Sequence, residues 1–344
     1  AAAGTFASPF ECTMSSMSFL LVLAIASASV QAAEHFCYDE VDCGPAHWSG
    51  DCKTGTQQSP VVIPSSWSPF NIFATDTITF NNNYKQSVRN AYIFNNGHTV
   101  QITVSPDVTS SMTFTSTLTG GPSEVYVFGQ VHCHWGGSEH VYENVGRTDM
   151  ECHIVHHHAN YTSVSQAAAS GKTGALAIFG ILYTTSSTLK PVDVLSPDET
   201  IQFFPTNCPK VRDPKSGTQI MTGNINIYGM IPRVTSGPGL LGARQRYQVH
   251  VHKYMGSLTT PGCNEGMHWF VMRHVRQISV PQLDAFKSLL DGEDKPLNNN
   301  FRPPQPLNGR IIRQVVMNEL QPATTTPQLS PIWSWGNSFF SFFG

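Results

Sequence analysis

The chain predicts a predominantly β fold with a few short helices, arranged as a single domain. Three observations lead there. Runs of strand composition follow one another between turn signals along most of the sequence. Gly (27) and Pro (23) make up 50 of 344 residues, which favours many turns between short strands. Helical periodicity is scarce.

In order, the segment 51–68 is turn-rich, and strand-like runs follow at 77–80, 92–94, 99–104, 112–115, 124–134, 150–156, 175–183, 247–254 and 268–275. The best helical pattern is 281–290, where Leu283, Phe286, Leu289 and Leu290 recur at helical spacing behind Pro281. A weaker one covers 163–170. These elements place one β-dominated domain over 34–317. Forty per cent hydrophobic residues supply a sizeable core, and charged residues are only 12% with a formal net charge of −3. No basic cluster marks nucleic acid or an anionic membrane as a partner.

Composition changes at both ends. Phe19 to Ala26 is an apolar run of signal-peptide length, too short to span a bilayer. Val30-Gln-Ala32 follows as a cleavage site, so residues 1–32 read as upstream sequence plus signal peptide, with Met14 or Met17 as initiator. Secretion is the expectation. Residues 318–344 form a Pro/Thr linker and an aromatic, uncharged tail. Attachment to a membrane outside the cell through that tail is the alternative to free secretion. Of 8 cysteines, removal of the leader takes Cys12 and leaves an odd number. An oxidising compartment would pair most of them and leave at least one free or intermolecular. Asn160-Tyr-Thr162 is a glycosylation sequon that becomes relevant only if the chain is secreted.

The chemistry concentrates in two strand-like runs. His132 and His134 alternate with Cys133, so on a strand they share one face and Cys133 takes the other. The Gly-rich stretch 136–146 separates this run from the next, and an antiparallel pair would bring His153 beside the first two. Three neutral imidazoles leave a tetrahedral zinc ion one open position, as a catalytic site requires. For a lone His-x-His the ordinary reading is a pair of strand histidines; the third changes that reading. The run His156-His157-His158 offers at most two side chains on one face and is not expected to hold a second metal.

The motifs Gly44-Pro-Ala-His-Trp48, Gln58-Ser-Pro60, Asn96-Gly-His98, His132-Cys-His-Trp-Gly136, Gly137-Ser-Glu-His140, Glu151-Cys-His153, Ser257-Leu-Thr-Thr-Pro261 and Arg302-Pro-Pro-Gln-Pro-Leu307 occur in an order that closely resembles the α-class carbonic anhydrases. The resemblance covers nearly the whole chain after the leader. It implies a large, twisted, mainly antiparallel sheet with a conical cleft, one zinc ion per chain on His132, His134 and His153, and CO2 and bicarbonate as substrates. Zinc-bound hydroxide would attack CO2. The pKa of about 7 for zinc-bound water is a known property of carbonic anhydrase zinc itself and is taken over with the family.

Other roles carry over by position. Thr259 would orient the nucleophile and Glu139 would accept from Thr259, while Thr260 would help hold bicarbonate. His98 would shuttle protons, as suits an imidazole titrating near neutrality, with Tyr38, Asn96 and Gln101 ordering the water chain. Gln130 and Glu151 would fix the rings of His132 and His153, the backbone carbonyl near Asn300 would serve His134, and His140 would be a structural histidine behind the ligands. Val155, Ile178, Leu258 and Trp269 would form the apolar wall for CO2. The resemblance also implies a Cys52–Cys263 disulfide and an N-terminal Cys37–Cys43 pair. It assigns no partner to Cys133, Cys152 or Cys208; Cys133 and Cys152 would face each other beneath the metal as two buried thiols. Two departures stand out: Gly262 replaces a proline common in the family, and 210–245 is longer than usual. A monomer is expected. The competing readings are a non-catalytic binding domain on the same fold and a structural role in an extracellular matrix.

Overall fold

In the computed structural model, residues 36–38, 42–65, 76–117, 122–185, 203–221, 223–235 and 247–320 are described. The expected leader, cleavage site, Cys12 and the tail from 321 lie outside them. The strands are β1 (Val62–Ile63), β2 (Thr77–Phe80), β3 (Ala91–Asn95), β4 (Val100–Val104), β5 (Thr113–Thr117), β6 (Ser123–Trp135), β7 (Val141–Tyr142), β8 (Met150–His158), β9 (Leu176–Thr184), β10 (Gln219–Met221), β11 (Val234–Thr235), β12 (Tyr247–Ser257), β13 (Glu265–Met272), β14 (Arg276–Gln277) and β15 (Arg313–Glu319). All but β1 and β7 join one large mixed sheet. Its pairings are mainly antiparallel; β13 on β9, β14 on β9 and β15 on β2 are parallel. The expected fold class is therefore observed.

Each strand-like run of the sequence lies within or overlaps a strand, some by period-two apolar alternation and others as continuous apolar runs. β3 and β4 alternate buried and half-buried along their lengths, as strands with one covered face should. β8 and β9 are buried almost throughout, since both faces are covered, and they form the middle of the sheet. The two helical patterns form short helices, Val164–Ala169 and Val280–Lys287. In the second, Ser279 and Gln282 cap each other reciprocally, and Leu283 and Phe286 are its buried anchors.

The core on one side of the sheet contains Phe80, Phe114, Phe128, Phe179 and Phe270 together with Cys133 and Cys152. Within it the His156 ring is fully buried. Its Nε2 lies 2.7 Å from the Tyr84 hydroxyl and its Nδ1–H donates to the Ala177 carbonyl at 3.2 Å. Both ring nitrogens of His156 are thus used within the core. Burial pushes this imidazole down to about 3. The unfolded chain, with an ordinary value near 6.5, binds a proton between those limits while the folded chain does not. Stability from this group is therefore complete above about pH 6.5 and falls as pH drops towards 3. Acidifying the metal-free protein from pH 7 to 5 should remove about 2 kcal/mol through His156 alone. Denaturant unfolding at both pH values checks this, and His156→Gln should flatten the dependence.

Cysteine pairing differs from expectation in one place. Cys37–Cys43 and Cys52–Cys263 are disulfides, and so is Cys133–Cys152, which the sequence suggested as two thiols. The correction has a geometric reason: the two residues are directly opposite on β6 and β8, with Cα atoms 4.0 Å apart. Cys208 is the free cysteine among the described residues; it is buried, and burial pushes its thiol up to about 12. Such a thiol is unsuited to an intermolecular bond.

Candidate metal centre

β6 and β8 pair antiparallel with His132 opposite His153 and His134 opposite Glu151. His132, His134 and His153 come to one spot on the face away from the disulfide. His153 Nδ1 lies 3.2 Å from His134 Nε2 and 3.2 Å from His132 Nε2. The remaining nitrogens fix the tautomers. His132 Nδ1–H donates to Gln130 Oε1 at 2.9 Å, His134 Nδ1–H to the Asn300 carbonyl at 2.7 Å, and His153 Nε2–H to Glu151 Oε1 at 3.0 Å. Each ring thus spends its proton on an oxygen acceptor, so three bare lone pairs converge. Nitrogens about 2.0–2.1 Å from a tetrahedral zinc would be roughly 3.3 Å apart. The observed spacing fits that ion. Burial pushes all three imidazoles down, His134 to about 4, and so keeps them in the neutral, ligating form. His134 and His153 are buried while His132 is half-buried, leaving the group reachable from one side.

Behind the three histidines lies a hydrogen-bonded chain. Glu151 accepts from the His140 amide and Nδ1–H, both at 2.7 Å, as well as from His153. Burial opposes the charge on Glu151, but the His140 and His153 rings outweigh it and hold the carboxyl well below its usual range. His140 Nε2 lies 2.7 Å from the Tyr254 hydroxyl, which reaches Ser59 Oγ at 2.8 Å. Gly180 makes room for this arrangement: a Cβ there would come within 2.7 Å of Glu151 Oε1.

Glu139 is fully buried. Its Oε1 accepts from the Arg302 amide at 2.8 Å, and Oε2 lies 3.5 Å from His134 Nε2. Burial pushes its carboxyl up to about 7, while His153, the Arg302 amide and the nearby Thr259 hydroxyl pull it down. Thr259 sits on a loop pinned by several bonds. The Cys52–Cys263 disulfide holds its far end, and Gln58 Nε2–H donates to the Cys263 carbonyl at 3.0 Å. Gly262 has φ +98°, which proline cannot adopt, so the departure from the family's proline reflects a different loop path.

Val155 and Ile178 are directly opposite on β8 and β9, and Ile178 is opposite Trp269 on β13. Val155 lies two residues from His153 and shares its face. The Trp269 ring is 4.8 Å from the His153 ring, and Leu258 packs on the same cluster, so the four expected wall residues form one apolar patch beside the histidines. Gln101 is opposite His132 on β4 and lines a groove with Gln130.

His98, Tyr38 and Asn96 border a common cavity of about 100 Å³ with Asp291 and Glu293. The Asn96 side-chain oxygen accepts from the amides of His98 and Thr99, so it shapes the turn presenting His98. The His98 ring stacks on Phe36 at 3.8 Å and 14°. No local pattern signals that contact, because 62 positions separate the two rings.

Two residues were quoted above only within motifs or as a backbone, without side-chain roles. Asn300 donates from Nδ2 to the His98 carbonyl and accepts from the Trp135 amide, tying the His98 turn to β6. Arg302, 1% exposed, donates from Nη1 to Gln58 Oε1 and the Ser59 carbonyl and from Nη2 to the Cys52 carbonyl. Buried arginines are rare enough that the Arg-Pro-Pro motif was their sequence signal. Tyr254 had none.

The family model for eukaryotic-type carbonic anhydrases matches residues 43–316. The chain belongs to the carbonic anhydrase family. Relatives include carbonic anhydrase 6 of Canis lupus familiaris, 29% identical over 89% of this chain and 88% of that protein. Carbonic anhydrase 7 of Homo sapiens is 32% identical over 79% of this chain and 94% of that protein. Carbonic anhydrase 15 of Mus musculus is 29% identical over 86% of this chain and 87% of that protein. Family membership makes this carbonic anhydrase a carbonate dehydratase, which interconverts CO2 and bicarbonate.

Proposed function

We propose that this carbonic anhydrase works with zinc held by His132 Nε2, His134 Nε2 and His153 Nδ1, and that His98 carries the product proton to solvent. The observation that supports it most is the convergence of three unprotonated imidazole nitrogens whose other nitrogens all donate to oxygen. Zinc bound there would acidify a water molecule and so supply a nucleophile at neutral pH.

The protein's own groups have distinct tasks. Glu139 accepts from the Thr259 hydroxyl, which leaves the Thr259 oxygen an acceptor towards the cleft; the buried Glu139 Oε2, which no hydrogen-bond donor otherwise satisfies, supports this. Thr259 then selects a nucleophile that presents a hydrogen to it and a lone pair to the carbon. Val155, Ile178, Leu258 and Trp269 give uncharged CO2 an apolar resting place, and Thr260 assists in holding bicarbonate. Gln130, Glu151 and the Asn300 carbonyl keep the rings in their ligating tautomer. His98 relays the proton through water ordered by Tyr38, Asn96 and Gln101.

Secretion fits the apolar leader and the three disulfides, which persist in oxidising compartments. Among the described residues no helix is long and apolar enough to cross a membrane. In a secreted chain Asn160, which is exposed, is the site for a glycan. The domain reading of 34–317 with a leader and tail goes with it.

The shuttle role is tested by stopped-flow CO2 hydration of His98→Ala. Loss of general acid–base help should lower kcat by about 10–100-fold in weak buffer, with kcat/KM little changed. Added imidazole should restore much of kcat. An unchanged kcat in weak buffer would remove His98 from the mechanism.

A further inference from the structure

The metal ligands flank a covalent bond. Cys133 lies between His132 and His134, and Cys152 precedes His153; the two cysteines are directly opposite partners, and their disulfide lies in the core on the far face of the same strands. The Cys133 amide donates to Thr99 Oγ1 at 3.2 Å, and its carbonyl accepts from Thr99 Oγ1 at 2.6 Å and Asn300 Nδ2 at 3.3 Å. The backbone groups of Cys133 therefore point away from β8. Such non-hydrogen-bonded pairs bring opposing Cα atoms closest, which accounts for the 4.0 Å separation. The crosslink stands where the ladder itself provides no bond.

We infer that the Cys133–Cys152 disulfide is a positioning element for the metal centre: it locks the register of β6 against β8 and so preforms the three-histidine site before metal enters. This rests on the reading of His132, His134 and His153 as metal ligands. A slip of one residue would turn His153 into the core and Cys152 towards the metal. A slip of two would keep the faces but separate His153 from its partners by about 7 Å. A bond between opposite residues forbids both. It also closes the 134–151 segment, which carries Glu139 and His140, so those two residues are delivered to the ligands from a tethered loop. With Thr99 and Asn300 holding Cys133 from the other side, the His98 turn is tied to the same point.

The effect to measure is on metal retention, because a bond that merely stabilised the fold would lower unfolding resistance without altering zinc release from folded protein. Two variants, Cys133→Ala with Cys152→Ala and Cys133→Val with Cys152→Ala, are compared with Leu283→Ala, which destabilises the same core through the Val280–Lys287 helix and leaves the crosslink intact. Zinc loss to excess chelator is followed at a temperature where every variant is folded. Both cysteine variants should release zinc at least about tenfold faster than wild type, the scale seen when support of metal ligands is lost, and Leu283→Ala should release it at the wild-type rate. Equal release from cysteine variants and wild type, or equal acceleration in Leu283→Ala, overturns the inference. Peptide mapping of the untreated protein runs beside this and does not depend on variant folding. Linked Cys133 and Cys152 peptides are expected, and free thiols at both positions would overturn it. Wild-type protein that binds no zinc at all would instead refute the ligand reading beneath it.

Discussion

His134→Ala should leave a folded protein without stoichiometric zinc and with CO2 hydration at the buffer rate. His134 is fully buried, and its Nε2 is one of three converging nitrogens, so its loss leaves two ligands and an enlarged, wetter position. A third neutral donor is what gives a catalytic zinc site its retention while keeping one position open. The fold should survive, because the substitution breaks one hydrogen bond, to the Asn300 carbonyl, worth about 1 kcal/mol, and adds a small cavity. Metal analysis per chain, circular dichroism and stopped-flow hydration read the three parts separately. Unchanged hydration in a zinc-depleted variant would separate activity from this site.

The second large effect is on stability. Arg302→Met should cost at least about 3 kcal/mol, since it leaves the carbonyls of Ser59 and Cys52 and the Gln58 side-chain oxygen buried without their donor. Methionine matches the volume of the stem and cannot replace a fork of donors. Removing one side of a buried polar network is costly even where the intact network adds little. Because Arg302 connects the Gln58–Ser59 segment to Glu139 through its own amide, hydration should fall as well, through displacement of Glu139 and Thr259. Denaturant midpoints measure the first effect and kcat/KM the second. A midpoint within error of wild type would mean that water takes over the three acceptors.

How far the sequence disclosed this molecule depended on the range of the interaction. The face shared by His132 and His134 follows from strand periodicity, and the structure places His153 opposite His132 as the turn-rich segment suggested. Gln130, Glu151 and the Asn300 carbonyl accept from one nitrogen each of His132, His153 and His134, the contacts the resemblance implied. Short elements were harder. β10 has only three residues, and β15, with the sequence Arg-Gln-Val-Val-Met-Asn-Glu, shows its period-two burial only once it is seated between β2 and β12. The Cys133–Cys152 bond was ambiguous because opposite positions in a core suit thiols and a disulfide equally, and the decision rests on the backbone approach of a non-hydrogen-bonded pair. The stacking of Phe36 on His98 and the bonds of Arg302 join segments far apart in sequence, where pattern alone has no reach.

Hydration should depend on zinc held by these three histidines. This is tested most directly by CO2 hydration and zinc content measured on one wild-type preparation: as isolated, after exhaustive chelation, and after zinc is returned. One zinc per chain with rapid hydration is expected, with loss of both on chelation and recovery of both in proportion to zinc restored. Rapid hydration persisting in the zinc-free protein, or stoichiometric zinc without hydration, would contradict it.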